Sequence, residues 1–565
     1  MRWLLDYVWI YLATAAAVVG LWRWRRILRG VRRGWRRVSG YRAVIVAVPV
    51  LVSLALSAWM GRERDPMPGV HDEFSYLLGA DTFARGRLAN PPHPMWEHFE
   101  TIHVLQRPTY ASKYPPGQAL ALALGQVLGK PIVGAWLGVA LAAGTVGWML
   151  RAFVPARWAL LGGVLTAIHP QMLEWGQVYW GGGMAALGGA LVVGAAGRLV
   201  QCRSRRPPVT CGTMLGAGLA ILANTRPYEG LVVAAVVLVL ALLWSRDRAR
   251  MIRAAALPAG AVLAASFAWM AYYDFRTTGN PFTLPYTLHE AAYGSVPLFA
   301  WEPPREIPLY RNQRLWAFWA QWVFDEFAAR RLSAAGLLYD ARLRLETLRQ
   351  HLFPMGWTAL PLLMLPLMHL RNPRMRAIEI GFLAFVAASA LCTYFSAAYW
   401  APATGLGVLV YVQCVRYVAA LRVKVRASGR RLAAGQGLMA IMLVALAMMS
   451  ASWKREYARI VRYPTWRDER ATRLAELEER PGEHLVIVRY PPGYSVHAEW
   501  VYNDAEIDGA RVVFAHDLGH ARNRPLLEYF ADRRAWLLMP GSSEGLKPYP
   551  SIATPTAASR PATER

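Results

Sequence analysis

Runs of apolar residues long enough to cross a bilayer recur along this chain, and alternate connections between them are crowded with arginine. Spans are expected near 4–22, 42–60, 131–151, 157–172, 181–199, 210–225, 229–245, 254–273, 354–370, 377–395, 399–419 and 433–451. The connection from Arg23 to Arg42 holds nine arginines. Further clusters are Arg198/Arg203/Arg205/Arg206, Arg246/Arg248/Arg250/Arg253, Arg371/Arg374/Arg376 and Arg422/Lys424/Arg426/Arg430/Arg431. The opposite connections, Gln171 to Trp180, Thr225 to Glu229 and Phe395 to Ala401, hold a single arginine and many aromatics. Cations gathered on alternate loops mark the side that stays inside. The expected fold is mainly α: a polytopic protein of about 12 transmembrane helices in the plasma (inner) membrane, surrounded by membrane lipids. The net charge of +27 then belongs to topology, and nucleic acid is not expected as a partner.

The run Gly117 to Gly129 is too short to cross, so it is expected as a helix lying on or dipping into the outer face. Counting it as a crossing would place every later arginine cluster outside. The first span is expected to be retained, with the N-terminus outside, a hairpin on the cytoplasmic side being the alternative. The chain divides into residues 1–41 (first span and arginine loop), a transmembrane core 42–451 with outer loops 61–130 and 274–353, an extracytoplasmic α/β domain 452–540, and a disordered tail 541–565. In the small domain, a basic helical stretch (Lys454 to Arg480) precedes strands at 484–490, 511–515 and 535–539. A helix from Asn523 to Ala531, capped by Asn523 with Pro525 in its first turn, joins the last two. The four cysteines (Cys202, Cys211, Cys392, Cys414) lie in or beside spans and imply neither a disulfide framework nor a zinc set.

Chemistry-bearing residues gather on the outer side. His71-Asp72-Glu73-Phe74-Ser75-Tyr76 sets two adjacent carboxylates shortly after the span 42–60. Carboxylates so close to a membrane generally face a cavity or a substrate. The same loop ends in Lys113-Tyr-Pro-Pro-Gly117. His71, His93, His98 and His103 accompany Glu97 and Glu100, but their spacings match no tight zinc pattern. Trp175, Tyr179, Trp180, Tyr399 and Trp400 are expected as an interface belt first and as sugar-stacking surfaces second.

An acidic pair after an early span, followed by a Lys-Tyr-Pro-Pro-Gly segment, resembles the GT-C superfamily of polyprenyl-phosphate-sugar-dependent glycosyltransferases. Its relatives include protein O-mannosyltransferases and lipid A aminoarabinose transferases. Asn224-Thr-Arg-Pro-Tyr-Glu-Gly230 and Tyr179-Trp-Gly-Gly-Gly183 resemble segments of bacterial members. The resemblance covers roughly residues 42–450 and rests on order and topology. It implies a membrane transferase of the cell envelope that moves a sugar, with inversion, from a polyprenyl-phosphate donor to a hydroxyl of a glycan, lipid or protein on the periplasmic face. By the family pattern Asp72 is the catalytic base, and Glu73 orients the acceptor or helps to hold a divalent metal. No cofactor is otherwise expected. Lys113 and Arg226 are the candidates for the donor phosphate, because Arg grips it bidentately and Lys acts as a point charge. Glu229, three residues on, could instead pair with Arg226. Tyr76, Tyr114, Glu229 and Glu174 complete the expected substrate-binding set. Two other classes remain open: a lipid or glycan transporter or flippase, and a non-catalytic envelope assembly protein.

Overall fold

A computed structural model describes residues 25–62, 66–202, 209–352, 356–421, 423–424, 431–432, 465–542 and 545–550. Six described helices are long and apolar enough to cross a membrane, by length and composition: Arg42–Gly61, Pro131–Leu150, Gly183–Gln201, Pro227–Trp244, Arg248–Thr278 and Ala397–Ala420. The chain is thus multi-pass, but six is fewer than the crossings counted from the sequence. The expected spans 4–22 and 433–451 lie outside the described residues. Near 157–172 the helix stops at Ala167 after 12 residues, about 18 Å at 1.5 Å per residue. A fresh helix, Pro170–Trp175, begins because proline cannot continue the first one, and His169 caps it by accepting the Gln171 N–H at 3.2 Å. Near 354–370 a 3₁₀ stretch, Gly356–Met364, gives way to an α-helix at Leu365–Arg371, with Pro361 inside the first and Pro366 opening the second. The short apolar run after Tyr114 is a 12-residue helix, Pro116–Val127, packed on its neighbours at both ends of its sequence.

Residues from the connections 61–130 and 274–353 and from the C-terminal part build one assembly over the span ends. Four strands lie in the order 512–516, 484–488, 534–538, 546–548; the first three are parallel and the last antiparallel. Strand 484–488 is central and wholly buried, as its run Leu485-Val-Ile-Val488 requires. The expected disorder from 541 fails at Leu546–Pro548, which pairs antiparallel with strand 534–538 and forms an edge of the sheet; residues 551–565 lie outside the described set. The helix expected at 523–531 runs from His520 to Tyr529. Asn523 is therefore not its cap but sits one turn in, fully buried, accepting from Leu518 N–H at 3.0 Å and donating to Asp517 at 2.7 Å. Gly519, at φ 90°, makes the entry turn that moves the start forward.

This domain docks on the helix His71–Ala84. Phe74 stacks on Tyr502 with ring centroids 4.2 Å apart, Asp81 accepts the Ala505 N–H at 2.9 Å, and the Tyr110 hydroxyl donates to the Asn503 carbonyl at 2.9 Å. Arg314, from the connection 274–353, is buried against the same domain, donating to Glu499 and to the carbonyls of Tyr494, Ser495 and Ala498.

Candidate active site at the acidic helix

Four segments that are far apart in sequence meet around the first turn of the helix His71–Ala84. Acidic residues suit that turn, since the helix N-terminus carries partial positive charge. The Gly117 N–H donates to the Asn224 carbonyl at 2.7 Å, and a Cβ on Gly117 would stand 2.7 Å from that same oxygen. Only glycine permits this approach, and through it Tyr114 and Arg226 come to one place. On the other flank Gly182, at φ 130°, lies against the Trp175 ring, where a Cβ would be 2.2 Å from the indole. That turn sends the Tyr179 N–H to Glu73.

Asp72 is the reachable carboxylate, its side chain 30% exposed. The Tyr114 hydroxyl donates to it at 2.5 Å, and His103 Nε2 lies 3.9 Å from its other oxygen. Tyr76 stacks on Tyr114 at 4.6 Å. Burial pushes the Tyr76 phenol up to about 12, and the charges that act on it are Arg226, Asp72 and Glu229. Burial raises the Tyr114 hydroxyl further, with Asp72 adding to it, so both phenols stay protonated donors. Arg226 caps the helix Pro227–Trp244 and lies over the Tyr399 ring, 4.5 Å from its centroid. Among the described residues it has no carboxylate within salt-bridge distance; the expected alternative, a close pair with the buried Glu229, does not form. Asp72, which meets solvent, and Arg226, with no carboxylate at salt-bridge distance among the described residues, thus stand around the same phenols, Tyr76 and Tyr399.

Other expected site residues stand differently. Glu73 is buried, and its two oxygens accept the backbone N–H groups of Gly69 at 2.7 Å and Tyr179 at 2.9 Å. It ties the preceding loop to the Tyr179 turn; a carboxylate used in this way fits neither a metal ligand nor an acceptor-orienting group. Burial holds it above the ordinary carboxylate range in spite of those donors. Lys113 is 3% exposed and paired with Glu290 at 3.0 Å, boxed by the rings of Tyr114, Tyr286 and Trp319. It is not open to a phosphate, because a buried ammonium needs a permanent counter-charge. Burial alone would raise Glu290, but Lys113 and His289 outweigh it and hold the carboxyl near 2. Glu174 accepts from Gln171 at 3.1 Å, and no described contact joins it to Asp72.

Sequence reasoning missed Glu290 altogether and His103 as a neighbour of Asp72. His103 takes φ 64°, a conformation with no signal in the sequence. Burial pushes its imidazole well below the usual range, so a neutral ring faces Asp72. The remaining histidines do not converge on it as ligands. His71 bonds Tyr502 at 2.8 Å and the Val496 carbonyl at 3.0 Å, and His93 bonds Asp508 at 2.8 Å. Among the described residues no group of three or more His, Cys, Asp or Glu could hold a metal ion. The expected aromatic belt is also largely internal, since Trp175, Tyr179 and Trp400 are buried in protein. A mainly apolar cavity of about 400 Å³ lies elsewhere, between Leu165, Trp175, Leu365 and Leu383, and Asp72 is not part of its lining.

No protein-family model and no curated protein matches the chain. Among solved structures it is similar to the oligosaccharyltransferase AglB from Archaeoglobus fulgidus, in complex with an inhibitory peptide and a dolichol-phosphate, at 12% identity and a TM-score of 0.47, over 88% of this chain and 69% of that one. It is similar also to ArnT from Cupriavidus metallidurans. The apo state gives 14% identity and a TM-score of 0.46, over 88% of this chain and 93% of that one. The undecaprenyl phosphate complex gives 13% and 0.46, over 89% and 93%.

Proposed function

We propose that the chain is a glycosyltransferase that moves a sugar from a polyprenyl-phosphate donor to an acceptor hydroxyl on the side of the membrane where Asp72 lies. The observation that carries this is a solvent-reachable carboxylate, Asp72, and an arginine with no carboxylate at salt-bridge distance, Arg226, standing around the same phenols at the ends of apolar helices. An unpaired guanidinium there suits a lipid phosphate, which it can hold bidentately. The departing phosphate needs no general acid, so one base suffices. Asp72 takes the acceptor proton as the hydroxyl oxygen forms its bond to the anomeric carbon, and the bond from that carbon to the phosphate oxygen breaks. The electron pair leaves with the phosphate, and Arg226 stabilises the charge gathering there. In-line attack from the face opposite the phosphate inverts the anomeric centre. Tyr114 holds the Asp72 carboxylate in place by its hydrogen bond.

The test uses purified full-length protein with a polyprenyl-phosphate sugar. Asp72→Asn removes the base and keeps the shape, and should slow transfer by about a hundred-fold or more while donor binding persists. Arg226→Ala should weaken donor binding by about ten- to a hundred-fold, the usual cost of a charge-assisted contact. Wild-type turnover in Asp72→Asn would end the mechanism, and the protein would then be sought among transporters or assembly factors.

A further inference from the structure

The arginine-rich connection that precedes the first described span is itself a helix, Arg25–Val38, with the sequence Arg-Arg-Ile-Leu-Arg-Gly-Val-Arg-Arg-Gly-Trp-Arg-Arg-Val. Seven of its 14 residues are arginine, and at about 100° per residue all seven positions fall within an arc of about 140°. Ile27, Leu28, Val31, Trp35 and Val38 occupy a separate arc of about 100°, with Gly30 and Gly34 on the border between the two. No aspartate or glutamate occurs between Asp6 and Glu63, so no carboxylate nearby in sequence offsets the arginines. Topology accounts for cations in such a connection, but it does not sort them onto one face of a helix.

The helix is also held in one place. The Trp35 indole donates to the Arg157 carbonyl at 3.2 Å, and its ring packs against Leu161 and Leu165 of the helix Ala156–Ala167. The apolar arc thus turns toward the spans and the arginine arc away from them, with Arg33, Arg36 and Arg37 exposed. Val38, at the end of the apolar arc, and Tyr41 just beyond it are 44% and 65% exposed, so protein does not cover this part. Only Ser39, Gly40 and Tyr41 separate the helix from the spanning helix Arg42–Gly61, at most about 15 Å of chain from Val38 to Arg42. That tether keeps the helix at the level of the headgroups. A nucleic acid would engage the arginine arc alone, whereas a bilayer surface engages both arcs at once. We propose that the helix Arg25–Val38 binds the bilayer surface, its arginines holding the phosphates of anionic phospholipids while Val38 and Tyr41 enter the hydrocarbon boundary. The helix Arg42–Gly61 leads from this surface to the side of Asp72, about 30 Å away, so the lipid contact stands independently of the proposed sugar transfer.

Two measurements on the purified full-length protein test this. In the first, lipid-stripped protein is titrated with phosphatidylglycerol or phosphatidylcholine and read by native mass spectrometry. Arg33→Gln/Arg36→Gln/Arg37→Gln should weaken phosphatidylglycerol binding by about ten-fold or more and leave phosphatidylcholine unchanged, and Arg33→Lys/Arg36→Lys/Arg37→Lys should keep most of it. Undiminished binding in the glutamine triple would overturn the proposal. So would an equal loss in Arg371→Gln/Arg374→Gln/Arg376→Gln, which removes the same charge from another connection. The second measurement leaves the arginine arc charged. A fluorophore on Val38→Cys, in a Cys202→Ala background that keeps only buried native cysteines, is compared in nanodiscs with one on Arg36→Cys. Phosphatidylglycerol brominated along its acyl chains should quench the label at 38 and spare the label at 36; equal quenching, or none at 38, would overturn the proposal. Duplex DNA that binds the wild type and not the glutamine triple, with phosphatidylglycerol affinity equal in the two, would assign the arginine arc to nucleic acid instead.

Discussion

Asp72 and Glu73 are adjacent in sequence and opposite in circumstance. Asp72 receives one side-chain hydrogen bond and meets solvent, whereas Glu73 is enclosed with both oxygens on backbone N–H groups. Glu73→Gln keeps one acceptor and sets an amide N–H₂ against a backbone donor. It should therefore cost about 1.5–3 kcal/mol of stability, seen in thermal unfolding, while the folded fraction transfers sugar at close to the wild-type rate. Lys113 poses a similar choice. Lys113→Met leaves the buried Glu290 without its ammonium partner and with only His289 beside it, which should destabilise by about 3–5 kcal/mol. Lys113→Met/Glu290→Leu should recover most of that, and normal donor affinity in this folded pair would separate Lys113 from phosphate binding. The sequence showed that Lys113 and the two carboxylates matter, since ionisable residues beside a span need partners. Which partners they have depends on residues far along the chain, Glu290 for Lys113 at 177 residues and Tyr179 for Glu73 at 106, and no local pattern reveals them.

Elements rather than single residues assemble the cleft. The helix Pro116–Val127 starts where Pro115 and Pro116 fix the chain, and Gly117 in its first turn touches the Asn224 carbonyl. Gly117→Ala would press a methyl group to 2.7 Å from that backbone oxygen and from the Thr225 methyl. Separating these elements should cost about 1–3 kcal/mol and lower transfer, per folded molecule, by about ten-fold or more, because Tyr114 and Arg226 would shift apart. Activity normalised to the folded fraction checks it. Apolar runs and arginine loops made most spanning helices legible, within a few residues at Arg42–Gly61, Pro131–Leu150 and Pro227–Trp244. Prolines at 170, 361 and 366 divide the helices at two expected crossings, and their effect was readable locally but was overridden by hydropathy. The strands at 484–488, 512–516 and 534–538 fell close to expectation because short apolar runs between polar turns have few other uses.

The whole molecule holds its acidic helix from the far end of the chain. His71 has one ring nitrogen on Tyr502 and the other on the Val496 carbonyl, and burial pushes it down to about 3, with Glu499 acting in the opposite direction. The unfolded chain takes up a proton near the ordinary histidine value of about 6.5, and the folded one does not until about pH 3. Stability from this group is therefore complete above about 6.5 and is lost progressively as the pH falls toward 3, by about 2 kcal/mol at pH 5. Thermal unfolding of wild type and His71→Asn across pH 5–7 measures it, and the variant should show a shallower slope. This docking has a consequence in time. The helix His71–Ala84 is made early in synthesis, whereas Tyr502 and Val496 arrive more than 400 residues later. Until they do, Phe74 lacks the ring it stacks on and His71 lacks both of its partners, so the turn that carries Asp72 waits unfinished while the spans are inserted. A nascent chain halted before residue 484 would have its apolar helices but neither Tyr502 nor Val496, so the turn beside Asp72 would lack the contacts that the C-terminal residues give it.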